Sequence, residues 1–149
     1  MGDRAVAGFR DKPTSPTIFI YQHWVGGDQS EVLASALEAA RPRWGDDSYA
    51  TRICISHLIG DQWNSETGYG IYVGGTTHGA DYNQILIVDW SRKMVMVCEN
   101  DNSDNVVGEI SFDDFIANPQ VQVANASLDL NAQKEAEFLA RHPEWALAK

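Results

Sequence analysis

Between Pro13 and Ser91 this 149-residue chain has no lysine, and its only cations there are Arg41, Arg43 and Arg52. With 11 basic residues against 21 acidic ones, the net charge is −10. Binding to a phosphate backbone is driven by lysine and arginine displacing counterions, so a nucleic-acid polymer is excluded as a partner. Cysteine is also sparse. Cys54 and Cys98 make no disulfide framework and fit a reducing, cytoplasmic setting. No apolar run approaches the ~20 residues of a membrane span, and the opening MGDRAVAGFRDKPTS lacks the apolar stretch of a signal peptide. No membrane contact is expected.

Several chemical signatures are missing as well. His23, His57, His78 and His142 are scattered, without the i, i+4 pairing or Cys-x-x-Cys spacing that holds zinc. The loop DNSDNVVGEISF imitates a calcium loop through Asp101, Ser103 and Asn105. It lacks the glycine at position six, however, and carries Phe112 where the bidentate glutamate belongs. No metal and no cofactor are expected. Neither a Gly-x-Ser-x-Gly elbow nor a Gly-x-x-x-x-Gly-Lys phosphate loop occurs. Cys54 and His57 lie three apart, but a catalytic cysteine usually draws its histidine from elsewhere in the fold. No catalytic residue is assigned.

What is present reads as one domain. Residues 1–15 are polar and without periodicity, which predicts a flexible arm. Pro16 and TIFIY predict a strand near 16–24. Asp28 with Glu31 three residues on resembles a capping box, and Val32, Leu33, Ala36, Leu37 and Ala40 share one helical face, so a helix is expected over 29–40. Pro42 ends it. A second helix over 46–60 follows, capped by Asp46, Asp47 or Ser48 and stopped by Gly60, although TRICIS also reads as a strand. TGYGIYVGG predicts a short strand. NQILIVDWSRKMVMVCE predicts a hairpin over 84–99 whose ILIV run needs cover on both faces. GEISFDDFIANP predicts a strand end passing into one helical turn. Residues 119–149 read as an irregular segment followed by a short helix begun by Asp129 or Asn131 and ended near Arg141. The expected class is α+β: an antiparallel sheet of about four or five strands over residues 16–118, two N-terminal helices on one face, and a short C-terminal helix.

The stretch IYQHWVGGDQ runs from a strand through a Gly-Gly bend into a helix N-terminus, where backbone amides attract anions. The arginine island then supplies the only nearby positive side chains. A ligand site follows as an expectation. Gly26, Gly27 and the helix amides would hold an anionic group, Arg43 and Arg52 would pair with it, and His23 would hydrogen-bond the ligand. Trp24, Trp44 or Tyr69 would stack on a planar ring. Trp63, Tyr21, Tyr49 and Tyr72 are further aromatics near element ends. The arrangement requires residues 23–28 to meet residues 43–52 after the chain doubles back at RPRWGDD.

IYQHWVGG, RPRWGDDSYATRICISHLIG and ETGYGI together resemble a family of small uncharacterised bacteriophage and actinobacterial proteins, over roughly residues 17–116. These carry an aromatic-x-His-Trp-x-Gly opening, an Arg-Trp before the second helix and a Gly-Tyr-Gly-Ile strand. The resemblance implies a phage setting, hence the cytoplasm of a bacterial host, and a shared fold; it transfers no activity. By analogy with phage proteins that sequester nucleotide immune signals, the expected function is capture of an anionic, nucleotide-like small molecule without turnover. The alternative is an acidic inhibitor or adaptor docking on a host protein through the C-terminal third, where ten acidic residues from Glu99 onward face Lys134, Arg141 and Lys149. A third reading is a hydrolase using His23 as base. A homo-oligomer is compatible with all three.

Overall fold

The computed structural model describes residues 4–23, 25–74, 82–99 and 102–142. Strands β1 (Arg4–Arg10) and β2 (Thr17–Gln22) come first, followed by helices α1 (Gln29–Ala40) and α2 (Asp47–Ile59). Strands β3 (Tyr69–Gly74), β4 (Tyr82–Asp89), β5 (Met94–Glu99) and β6 (Asn102–Ser111) lead to helices α3 (Phe112–Ala117) and α4 (Pro119–Arg141). The class is α+β, with a six-stranded sheet ordered β3-β2-β1-β4-β5-β6. Its neighbours are antiparallel except β1 and β4, which are parallel. The expected antiparallel sheet of four or five strands is thereby corrected to a mixed sheet of six.

The difference comes from the first ten residues. Instead of a flexible arm, β1 lies at the middle of the sheet, between β2 and β4, and Ala5, Val6, Ala7 and Phe9 are at most 1% exposed. Its alanines and glycine are poor strand formers, so local propensity hides it. Small residues are nevertheless what the site requires. A Cβ on Gly8 would stand 2.8 Å from Thr17 Cγ2 and 3.1 Å from Phe19. Because β1 spends one edge on its hairpin with β2, β4 takes the other edge and arrives parallel.

Alternation along the strands divides two cores. Ala7, Phe9, Ile20, Leu86, Val88, Val95 and Val97 face the helices, where Leu33, Leu37, Cys54 and Leu58 meet them. Val6, Phe19, Ile85, Ile87, Met96 and Cys98 form a second buried cluster on the opposite face. The ILIV run is thus buried on both sides, as a continuous apolar strand requires.

Helices α1 and α2 occupy the expected ranges and run antiparallel. Cys54 Sγ donates to the Ala36 carbonyl at 3.5 Å, and Ser35 Oγ meets His57 Nε2 at 3.0 Å. Asp46 is the cap of α2, its carboxylate accepting from the Tyr49 amide, and Gly60 closes the helix at φ +61°. Asp28 does not cap α1. A 3-10 turn over Gly26–Asp28 leads into the helix, and the Asp28 amide donates to the Val25 carbonyl at 2.7 Å.

The C-terminal segment also departs from expectation. α4 is one 23-residue helix, begun by Pro119 in its first turn, where an irregular stretch and a short helix were expected. Its PQVQV opening alternates like a strand, and the helix wins through tertiary contact. Gly108 of β6 admits α4 so closely that an added Cβ would lie 2.7 Å from Ala126 Cβ. Ala126 is buried there. The first part of α4, around Ala126, is therefore packed on β6 rather than appended to the sheet. Among the described residues no helix is long and apolar enough to cross a membrane.

Candidate functional site

The antiparallel α1/α2 pair decides which of the expected site residues meet. Pairing of Ala36 with Cys54 and Ser35 with His57 sets the start of α1 beside the end of α2. Arg43 and Trp44, in the α1–α2 connection, lie at the far end of α1. Its twelve residues separate them from Gly26 and Gly27 by roughly 18 Å. The structure does not bring residues 23–28 to residues 43–44.

Each group is occupied locally. His23 follows β2, its amide donating to the Gly68 carbonyl and its Nδ1 lying 2.6 Å from the Tyr21 hydroxyl. Tyr69 pairs with Gln22 at the same end of the sheet. Gly26 and Gly27 sit in the 3-10 turn. Trp44 donates its indole N–H to the Leu37 carbonyl at 3.0 Å and meets Phe112 edge-to-face at 4.9 Å. Arg41 covers its ring at 4.4 Å, which leaves Trp44 a packing residue. Arg43 lies over the Tyr49 ring at 4.9 Å. Trp24 lies outside the described residues.

Arg52 is placed differently. It lies midway along α2 on the rim of a cleft of about 670 Å³ between α2, the β1–β2 turn and β3. Phe9, Ile18, Ile55, Ile71 and Trp90 line the cleft, with Trp63 at its mouth, 53% exposed. The base is rigid. The Trp90 indole N–H donates to Thr51 Oγ1 at 2.9 Å, both residues being buried, and Trp90 stacks on Phe9 at 6.2 Å. A smaller hollow of about 210 Å³ shares Trp63 and Ile71 and reaches Tyr69. Arg52 and Tyr69 therefore flank Trp63 from two sides. Of the expected residues, Arg52 borders this cleft, Tyr69 borders the adjoining hollow, and His23 lies next to Tyr69 at the same end of the sheet.

Besides Arg10 and Thr51, the polar residues that line the cleft are Arg52, Asp47, Ser48, Asp11 and Ser15. Among the described residues Arg52 makes no ion pair or hydrogen bond. Arg10 also borders the cleft, but its guanidinium is turned to Asp89, with Nε 3.8 Å from Oδ2. Arg41 is held by Glu38 and Asp113, and hydrogen bonds to Glu38 first and Asp113 second push its pKa up. Arg52 is thus the cation of the cleft with no competing carboxylate bound to it. The sequence pointed to Arg52 through the arginine island. It had no signal for Trp90 or Thr51, which meet across 39 positions, beyond a tryptophan directly following the ILIV strand.

The cysteines add no nucleophile. Burial pushes the Cys54 thiol up to about 12, and burial likewise raises Cys98 to about 12, partly opposed by Arg10. A thiol raised in the folded state binds its proton more tightly than in the unfolded chain. Its contribution to stability is full below the ordinary thiol range and is lost as the pH rises toward 12. Native protein at about pH 8 is expected to resist iodoacetamide at both thiols, and denatured protein to take two labels, as read by mass. Rapid labelling of the native chain would contradict their burial. Among the described residues, no group of three or more histidine, cysteine, aspartate or glutamate side chains could hold a metal ion.

No family model, curated protein or solved structure matches the chain, so its functional reading rests on the chemistry of the cleft.

Proposed function

We propose that this chain is a binding protein without turnover that captures a small planar anion in the cleft between α2 and the sheet. The observation that carries the reading is an aromatic, largely apolar cleft of about 670 Å³ with one unpaired arginine on its rim. Ligand sites of roughly 300–1,000 Å³ combine an apolar lining with a few convergent polar groups in this way. Trp63 offers a face for a planar ring, and Arg52 offers a bidentate donor for a phosphate or carboxylate. Asp47 and Asp11 accept hydrogen bonds from ligand N–H or O–H groups and repel the additional negative charges of a polyphosphate. A nucleotide-like molecule with a single phosphate fits this balance, whereas a polyphosphate does not. In the phage setting suggested by the resemblance, such capture would withdraw a nucleotide signal from the bacterial host.

A melting-temperature screen over cyclic and linear mononucleotides tests the reading. A ligand at 100 times its Kd stabilises the folded state by about 2.7 kcal/mol. Arg52→Ala is expected to weaken binding at least tenfold, since hydrogen bonds to a charged group contribute about 1.5–3 kcal/mol. The free variant should melt with the wild type, because Arg52 has no partner to lose. The proposal fails if no mononucleotide raises the melting temperature, or if Arg52→Ala binds as tightly as the wild type.

A further inference from the structure

Strand β3 is one edge of the sheet, and its outer side has no neighbouring strand among the described residues. Edges are normally guarded by lysine, proline or a bulge. The β3 sequence YGIYVG contains no charge and no proline, and its register with β2 is unbroken. It also exposes apolar side chains: Ile71 is 48%, Tyr72 37% and Val73 66% exposed.

The direction of its free backbone groups follows from one bond. The His23 amide donates to the Gly68 carbonyl at 3.0 Å, which continues the Gln22/Tyr69 register as a hydrogen-bonded pair. Hydrogen-bonded pairs alternate along an antiparallel ladder. Gly70, Tyr72 and Gly74 therefore turn their N–H and C=O groups toward β2, and Tyr69, Ile71 and Val73 turn theirs outward.

We propose that this edge pairs with β3 of a second copy of the chain, antiparallel, about a two-fold axis at Tyr72. In that register Ile71 stands opposite the second copy's Val73 and Val73 opposite its Ile71. Each of the two pairs exchanges two backbone hydrogen bonds, four in all. Tyr72 faces its own counterpart in a non-hydrogen-bonded pair, where side chains lie closest. Every exposed apolar residue of the strand then meets an apolar residue. Centring on Ile71 would instead set Tyr72 against Gly70. A two-fold contact must be self-complementary, and this edge is. A strand without charge also offers nothing to select a charged foreign peptide, while it can meet its own copy despite a net −10 on each chain. The inference does not rest on the ligand reading, although Ile71 also lines the cleft.

Sedimentation of the full chain over a range of concentrations tests it. The mass should rise from 16.5 kDa toward twice that value. Added salt should tighten the association, because it screens repulsion between the acidic chains without touching a charge-free contact. Val73→Lys should weaken dimerisation at least tenfold, with the melting temperature unchanged when both proteins are measured dilute enough to be monomeric. Tyr72→Cys should give a reducible cross-linked dimer on mild oxidation, since opposed Cα atoms about 4.5 Å apart accommodate a disulfide. Cys54 and Cys98 are buried and do not compete. A mass of 16.5 kDa at every concentration overturns the proposal, as does dimerisation of Val73→Lys with wild-type affinity. Dimers in which Tyr72→Cys does not cross-link overturn the Tyr72-centred pairing.

Discussion

Ile87→Asp is expected to abolish cooperative folding. Ile87 is 1% exposed at the middle of β4, in the cluster that contains Val6, Phe19, Ile85, Met96 and Cys98. Its backbone neighbours are Gly8 on β1 and Met96 on β5, so the side chain has no route to an edge of the sheet. A carboxylate there would lose its hydration, with only the weak donor of the Cys98 thiol among those five neighbours. An isolated buried charge either costs several kcal/mol or is neutralised by protonation, which at neutral pH is itself unfavourable. The loss should exceed about 4–5 kcal/mol, a large share of the 5–15 kcal/mol that holds a domain together. Ile87→Val is the control, with an expected cost of about 0.5–1.5 kcal/mol. A soluble Ile87→Asp variant that melts cooperatively near the wild type would show that the second core is not closed.

Asp89→Ala is expected to lower stability by about 3–5 kcal/mol, the usual cost of removing one partner from a buried ion pair. The Asp89 side chain is fully buried at the end of β4. Oδ1 accepts from Ser91 Oγ at 3.2 Å and from the Arg92 amide at 3.3 Å, tying down the β4–β5 turn. Oδ2 lies 3.8 Å from Arg10 Nε and 3.5 Å from Arg92 Nε, ion pairs too long for hydrogen bonds. Arg92 is 40% exposed and also holds Glu109 at 2.9 Å, so water and Glu109 can compensate it. Arg10 is 11% exposed, and its Nε has no other acceptor. Removing Asp89 therefore strands Arg10. At roughly 2–4 °C per kcal/mol for a chain of this size, the melting temperature should fall by about 6–20 °C. Replacing Arg10 by methionine and Asp89 by leucine together should recover much of the loss, because neither charge is then buried alone. A single Asp89→Ala variant that melts within a degree of the wild type would mean that Arg10 reaches solvent freely.

Both substitutions act at β1 and β4, and the two strands differ sharply in how far the sequence reveals them. ILIV and MVMV around a short turn announce a buried hairpin wherever they stand, and the chain places β4 and β5 there. Helices α1 and α2 are equally local: an apolar stripe with Pro42 behind it, and a span from Asp46 to Gly60. Such signals lie within a few turns of one another, so they can be read from neighbouring residues alone. β1 announces nothing, because RAVAGFR is defined by what surrounds it. Its alanines and Gly8 suit a place where Thr17, Phe19 and Ile87 leave room for no more, and those neighbours are 9 to 79 positions away. The α4 helix is hidden in the same way, since only Gly108 explains why the segment around Ala126 packs as it does.

The candidate site follows the same division. Residue type and charge marked Arg52 as one of three isolated cations, and element ends marked Trp24, Trp44 and Tyr69 for stacking, with Trp63 only as a further aromatic. Which of these would meet was decided by the antiparallel helix pair. That packing sends Arg43 and Trp44 to one end of α1, leaves Gly26 and Gly27 at the other, and sets Arg52 over a cleft closed below by Trp90 and Thr51. Local sequence determines where the chain turns and which face of each segment is apolar. A cleft arises between segments distant in sequence, from side chains that each satisfy their own local rule, and only their mutual packing decides what it holds.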